Sequence, residues 1–205
     1  MIDLFAGLGG WAEGGLAEGY DVIGFDIERH VYGEHRYPAQ LVIQDVLTLH
    51  GKQFKDAALI VASPPCQAYS YRAMPWKRAK ALPPPDNSLF EACFRVHREA
   101  CEAAGRHIPM VVENVRGAQR WVGRARWNFG SFYLWGDVPA LMTIPGEEQI
   151  KLGGSWFHEY RKGQGPRNHG YKSKARAQAS AMIAKIPLPL SRHIAAVFKP
   201  KQEAE

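Results

Sequence analysis

Residues 57 to 62, AALIVA, are apolar without a break, and a strand with no polar side belongs in a parallel sheet whose two faces are both covered. The flanking sequence supplies the covering helices. MIDLF, residues 1 to 5, is a short apolar strand that runs into AGLGG, after which a helix is expected from Trp11 to Glu18, stopped by Gly19. YDVIGFDIE reads as a second strand ending in acids, HVYGEHRY as helix or turn, and LVIQDV as a third strand. AALIVA is the fourth, ended by SPPCQ, and a proline-rich basic loop continues to about Asp86. SLFEACFRVHREACEAAG has helical spacing, with Leu89, Phe90, Cys93, Val96 and Ala100 on one side and Gly105 as the stop. IPMVVENV is the fifth strand. This alternation over the first 115 residues predicts a doubly wound α/β sheet. Beyond Gly136 it gives way to Gly, Pro and basic residues, until PLPLSRHIAAVF offers a closing helix with an early proline.

At 205 residues the chain can bury one full-sized core and is too short for two ordinary enzyme domains. No apolar stretch approaches the roughly 18 to 20 residues of a membrane span, and no basic region precedes an apolar one at the N-terminus. A cytoplasmic protein without a membrane partner is expected, in a bacterial or virus-infected bacterial cell. Cys66, Cys93 and Cys101 are odd in number, at spacings that suit neither a disulfide framework nor a tetrahedral metal site. Reduced thiols and no metal are therefore expected. The formal charge is +6, and between Lys151 and Arg176 seven basic residues face one acid, Glu159. That segment alone carries the whole excess, as a surface meeting a polyanion would; a solvated loop is the plainer alternative.

In FAGLGGWA, Gly7, Gly9 and Ala12 fit G-x-G-x-x-G/A between a strand and a helix, with Asp26 at the end of the next strand. Such glycines let backbone approach a ligand while the acid accepts from ribose hydroxyls. NAD, FAD and S-adenosylmethionine fit equally. Asp45, after the third strand, is placed to meet an adenine amine or to cap a helix.

Cys66 sits at the carboxyl end of a central parallel strand, where such sheets bind ligands, and Pro64 and Pro65 fix the backbone ahead of it. In a helix-free, proline-bracketed site its sulfur is a candidate nucleophile. Cys93 and Cys101, eight apart on the apolar side of a helix, read as core. Glu113 ends the fifth strand, which can lie beside the fourth, so carboxyl and thiol can share one crevice; Asn114 is placed to tie that strand end to the cysteine loop.

FAGLGG, FDIE, QDV, SPPCQ and ENV, in this order and spacing, resemble the successive motifs of the cytosine carbon-5 DNA methyltransferases, over roughly residues 2 to 126. The resemblance implies a Rossmann-like methyltransferase sheet and the cofactor S-adenosyl-L-methionine, held by Phe5, Gly7, Gly9, Asp26, Ile27 and Asp45, with Pro65 alongside shaping the base pocket. It further implies that Cys66 adds to carbon 6 of cytosine, that Glu113 contacts ring nitrogen 3 and the exocyclic amine, and that Arg126 helps to position both. The base would be turned out of a DNA duplex. Gln67, Tyr69, Tyr71, Arg72, Trp76, Lys77, Arg78 and Lys80 mix polar, aromatic and basic side chains beside the thiol, as a lid over DNA would. Arg124 and Arg126 match the family's arginine pair, although Val122 stands where a glutamine usually precedes it.

Only about 50 residues separate Gly136 from IPLPLSRHIA, where family members carry a longer target-recognition region, and Ile183 and Ala184 replace the usual Gly-Asn. A minimal enzyme with a short or relaxed target is implied, of the sort viruses encode. Its expected organisation is a catalytic domain over 1–136, a short basic recognition segment over 137–182 and a returning C-terminal helix over 183–205, in a monomeric protein. Trp156, Tyr160, Arg161, Arg167, Asn168 and Lys172 are the candidate DNA contacts of the segment, mostly to phosphate. An RNA substrate, a catalytically silent binding module and, from the glycine motif alone, an NAD oxidoreductase remain as alternatives.

Overall fold

The computed structural model of the chain describes residues 1–72, 77, 81–141 and 173–200, with the side chains of Tyr71, Arg72 and Arg176 excepted. In chain order its elements are β1 (Ile2–Leu4), α1 (Gly10–Ala17), β2 (Ile23–Asp26), β3 (Val31–Tyr32), β4 (His35–Arg36), β5 (Gln40–Ile43) and β6 (Ile60–Ala62). Then come α2 (Gln67–Arg72), α3 (Ser88–Ala104), β7 (Met110–Asn114), α4 (Gln119–Val122), β8 (Trp127–Phe129), β9 (Phe132–Gly136), α5 (Lys174–Ala184) and α6 (Leu188–Phe198).

Seven strands form one sheet in the order β5-β2-β1-β6-β7-β9-β8. From β1 the chain winds outward through β2 to β5, then crosses back to β6 on the other side of β1. The order reverses between β1 and β6, which opens a crevice at their carboxyl ends. Within the sheet only β9 runs against its companions: it is antiparallel to both β7 and β8.

Strand periodicity divides the core. Leu59, Val61 and Val111 join Trp11, Tyr20, Leu190 and Ile194 on the face covered by α1 and α6, whereas Ile60, Ala62 and Val112 join Phe90, Cys93 and Val96 on the face covered by α3. Every residue of β6 is buried, as its unbroken apolar sequence requires. Gly105, at φ 64, stops α3 in the left-handed region.

Three local expectations are corrected. HVYGEHRY is neither helix nor turn alone but the β3–β4 hairpin, with Gly33 at φ 62 allowing the reversal. The stretch after SPPC is not all loop, because α2 starts at Gln67. A second hairpin, β8–β9, extends the sheet where no strand was expected, and Phe129 pairs with Phe132 across a two-residue turn in which Gly130 has φ 55.

The C-terminal helix returns to the first one. Tyr20 donates its hydroxyl to the Ala195 carbonyl, Arg192 pairs with Glu18 and Lys185 with Glu13. This approach is close because α1 carries glycine where it meets the returning chain: a Cβ on Gly10 would lie 2.5 Å from the Ile186 nitrogen, and one on Gly14 at 2.5 Å from the Arg192 nitrogen. Backbone atoms cannot swing aside as a flexible side chain can. Gly14→Ala gains about 1 kcal/mol of helix propensity but overpacks the contact by about 1–3 kcal/mol. The expected outcome is a lower denaturation midpoint; a raised one would show that the two helices separate freely.

Among the described residues no single helix is long and apolar enough to cross a membrane.

Candidate active site

The crevice begins with a strained turn. Phe5, Gly7 and Gly9 have φ of 59, 52 and 77, and a non-glycine residue held there stores backbone strain of a kind that gathers at ligand sites. Gly7 donates its N–H to Asp26 Oδ2 at 2.8 Å, which joins the turn to the end of β2. Gly9 has a tight neighbour in Pro38, whereas a Cβ on Gly7 would meet only the Phe5 carbonyl oxygen, at 3.9 Å. Space is thus open over Gly7.

Beside it, Asp26 is buried and its Oδ1 accepts from Glu28 N; each carboxylate oxygen has a second lone pair for a hydroxyl. Ile27 is 71% exposed, and Ile43 and Leu47 are exposed as well, at the ends of β2 and β5. Apolar side chains left in water at the rim of a strained glycine turn suit the flat face of a nucleobase. Asp45 does act as a cap, accepting from Leu47 N at 2.9 Å. The open cradle, the carboxylate and the apolar rim fit an adenosyl group.

Across the switch point, Ser63-Pro64-Pro65-Cys66 leaves the end of β6. Cys66 is half-buried and its carbonyl accepts from Tyr69 N and Ser70 N, so the cysteine starts α2; the site is not helix-free. Burial pushes its thiol up from the ordinary value, opposed by a hydrogen bond with the Ser70 side chain and aided by the nearby Glu113 carboxyl. Glu113 is buried near the end of β7. Burial raises its pKa to about 8, with a hydrogen bond from Ser63 acting the other way. At neutral pH this carboxyl is mostly neutral and able to donate.

The two groups are held at a fixed spacing. β6 and β7 are parallel neighbours, with Ala62 opposite Val112, so the chain leaving β6 passes beside Glu113 and Asn114. Asn114 is fully buried and donates Nδ2 to the Pro64 carbonyl at 2.9 Å, while its Oδ1 accepts from Val115 N. It is the tie expected from the sequence. Ser63 in turn accepts from Trp11 Nε1 at 2.9 Å, which links the acid to the first turn of α1.

The family profile for C-5 cytosine-specific DNA methylase matches residues 1–119. The chain belongs to that family. Solved structures similar to it include the Schizosaccharomyces pombe Dnmt2 methyltransferase at 16% identity over 60% of this chain and 36% of that one, TM-score 0.38; a Spodoptera frugiperda DNMT2 mutant at 20% over 59% and 37%, TM-score 0.37; and the Entamoeba histolytica methyltransferase EhMeth at 16% over 75% and 56%, TM-score 0.40. The chain thus spans 36 to 56% of the length of these structures. No curated protein matches it.

For this C-5 cytosine methylase chain, the structure brings Phe5, Gly7, Gly9, Asp26, Ile27, Asp45, Cys66 and Glu113 to the carboxyl side of one sheet. Pro65 and Gln67 are exposed beside the thiol, and Lys77 is exposed as well. Tyr69 needs correction as a surface contact: its ring is 3% exposed in the α3 face of the core and its hydroxyl donates to Asn87 Oδ1. Arg124 and Arg126 are exposed, and the Arg126 N–H bonds to the carbonyl of Leu134, the residue paired with Glu113. Arg126 therefore starts two strand spacings, about 10 Å, from the acid. The side chains of Tyr71 and Arg72, and Trp76, Arg78, Lys80, Trp156, Tyr160, Arg161, Arg167, Asn168 and Lys172, lie outside what is described.

Sequence reasoning passed over Trp11, Ser63 and Ser70. Ser63 was recoverable, since it follows Val61 by two and shares its face; Ser70 was hidden because its meeting with Cys66 depends on α2.

Proposed function

We propose that this chain transfers a methyl group from S-adenosylmethionine to carbon 5 of cytosine in DNA. What supports the reading above all is a half-buried thiol and a neutral buried carboxyl on adjoining strand ends, spaced by the Asn114 to Pro64 hydrogen bond.

S-adenosylmethionine, when bound, supplies an electrophilic methyl group. The residues of the Gly7 turn, with Asp26 and Ile27, hold it at the mouth of the crevice. The target base is turned out of the duplex at a cost of a few kcal/mol, offset by basic side chains such as Lys77 and those between Lys151 and Arg176 on the phosphates. Cys66, as thiolate, forms a bond from Sγ to carbon 6, and the displaced π pair moves into the ring. Glu113 shares its proton with nitrogen 3, so negative charge does not accumulate there. Carbon 5 would then take the methyl group, the sulfonium keeping the electron pair of the broken bond and leaving as S-adenosylhomocysteine. Loss of the carbon-5 proton to a base restores the ring double bond and expels Cys66 as thiolate. Arg126, exposed two strands away, is the side chain proposed to reach the Glu113 side of the base.

Incubation with labelled S-adenosylmethionine tests this reading directly. Label is expected in duplex DNA, at cytosine carbon 5, and not in transfer RNA. Label in transfer RNA alone would move the substrate to RNA, and label in neither, with cofactor binding retained, would leave a silent binding module.

A further inference from the structure

At the opposite end of β7 from Glu113, three side chains that the proposed reaction does not use come together. His97 and Cys101 are one helical turn apart on α3, with His97 Nε2 3.4 Å from Cys101 Sγ. His107 joins them from beyond Gly105, whose left-handed conformation turns the chain back toward the helix. One donor atom from each of the three lies within 4.8 Å of the others. Tetrahedral zinc, with nitrogen at about 2.0–2.1 Å and sulfur at about 2.3 Å, sets neighbouring donors roughly 3.3–3.6 Å apart. The His97–Cys101 pair already has that separation, and the exposed His107 ring has room to close the rest.

A second observation concerns the surroundings. His107 Nε2 meets Asp137 Oδ2 at 3.0 Å, and the same carboxylate oxygen is fixed by Met110 N at 2.9 Å. A carboxylate that holds one ring nitrogen leaves Nδ1 for a cation, which is how histidine ligands are commonly oriented. Cys101 Sγ accepts the Ile108 N–H at 3.3 Å, which fixes where the sulfur points. His97 Nε2 donates to the Ile108 carbonyl at 2.7 Å, a bond that a bound cation would replace. Cys101 is half-buried and packs against the α3 face of the core, so its core reading holds in part. Cysteine spacing alone gave no sign of the cluster because two of its donors are histidines, and one of them lies outside the helix.

We propose that His97, Cys101 and His107 bind one zinc(II) ion, with Asp137 orienting His107. One sulfur and two imidazole nitrogens are a borderline-soft donor set that selects zinc over magnesium or calcium. The ion pins the end of α3 to the start of β7. It stands at the far end of that strand from Glu113 and takes no part in methyl transfer.

The full chain, stripped with a chelator and titrated with cobalt(II), tests the site. One equivalent is expected to give a thiolate-to-cobalt charge-transfer band with tetrahedral ligand-field bands, displaced by zinc, and zinc is expected to raise the melting temperature. Cys101→Ser should lose the charge-transfer band, while Cys66→Ser and Cys93→Ser keep it. His107→Ala, at an exposed position that leaves the fold intact, should weaken binding by about 100-fold or more, and Asp137→Asn by about 10–100-fold. No band in the wild type, a band lost with Cys66→Ser, or unchanged affinity in His107→Ala would each overturn the proposal.

Discussion

Cys66→Ser is expected to lower methyl transfer by about 10⁴-fold or more, the scale on which removal of a covalent nucleophile is felt, and to abolish a complex that otherwise survives denaturation. The complex is the one formed with DNA containing 5-fluorocytosine. There the thiolate adds and carbon 5 is methylated, but fluorine cannot depart as a proton does, so the carbon–sulfur bond persists. A serine hydroxyl at the same position ionises far less readily and makes no such bond. The variant should still bind the cofactor, because Gly7, Asp26 and Ile27 are untouched. A denaturation-resistant adduct in Cys66→Ser would assign the nucleophile elsewhere. Failure of the wild type to form one, with cofactor bound, would remove the covalent route altogether.

Glu113→Gln is expected to cost about 10²–10⁴-fold, the usual contribution of a positioned acid, and to change the shape of the pH profile. In the wild type the productive form pairs a thiolate with a neutral carboxyl, one proton between two groups. Burial raises Glu113 to about 8 and pushes the Cys66 thiol up from its ordinary value. The rate should therefore climb through pH 8 and fall again above the thiol's raised value, as a property of the coupled pair. Glutamine cannot lose a proton. The variant should keep an ascending limb from the thiol and show a plateau where the wild type declines; a descending limb of the same position in both would point to a different acid.

The same carboxyl makes a second, purely thermodynamic mark. Its folded pKa, about 8, lies above its ordinary 4.5, so the folded chain binds the extra proton between those values. The stabilisation is complete below pH 4.5 and is lost as pH rises through 8, by roughly 5 kcal/mol for the full shift. Denaturation of wild type and Glu113→Gln at pH 6 and pH 9 should show the gap moving in favour of the variant at the higher pH.

Much of this arrangement was legible in residues 1 to 115. AALIVA announced a strand covered on both faces, and SPPCQ and ENV placed a thiol and an acid at neighbouring strand ends because parallel strands share one carboxyl edge. Asn114 was read correctly as the tie for the same reason. Hairpins were not legible. Val31–Tyr32 and His35–Arg36 are two residues each, too short to show a period, and β8–β9 was masked by aromatic residues that suit several conformations, although the reversal at Gly130 was a usable signal. α2 escaped because Pro64 and Pro65 read as loop while Cys66 itself begins the helix. Tyr69 followed from that error, since a helix carries its ring inward to Asn87 where a loop would have left it in solvent. The His97, Cys101 and His107 group depends on the turn at Gly105 and on Asp137 beyond β9, contacts between segments with no shared motif.

The glycine-lined surface of α1 has to wait a long time for its cover. Tyr20 and Ala195 are 175 positions apart, so during synthesis the ribosome has made nearly everything between them before α6 can dock. Until then the turn at Gly7 rests on a helix with one side bare. The emerging polypeptide should consequently settle the turn at Gly7 late, in one step with the arrival of α6, and not gradually as successive strands leave the exit tunnel.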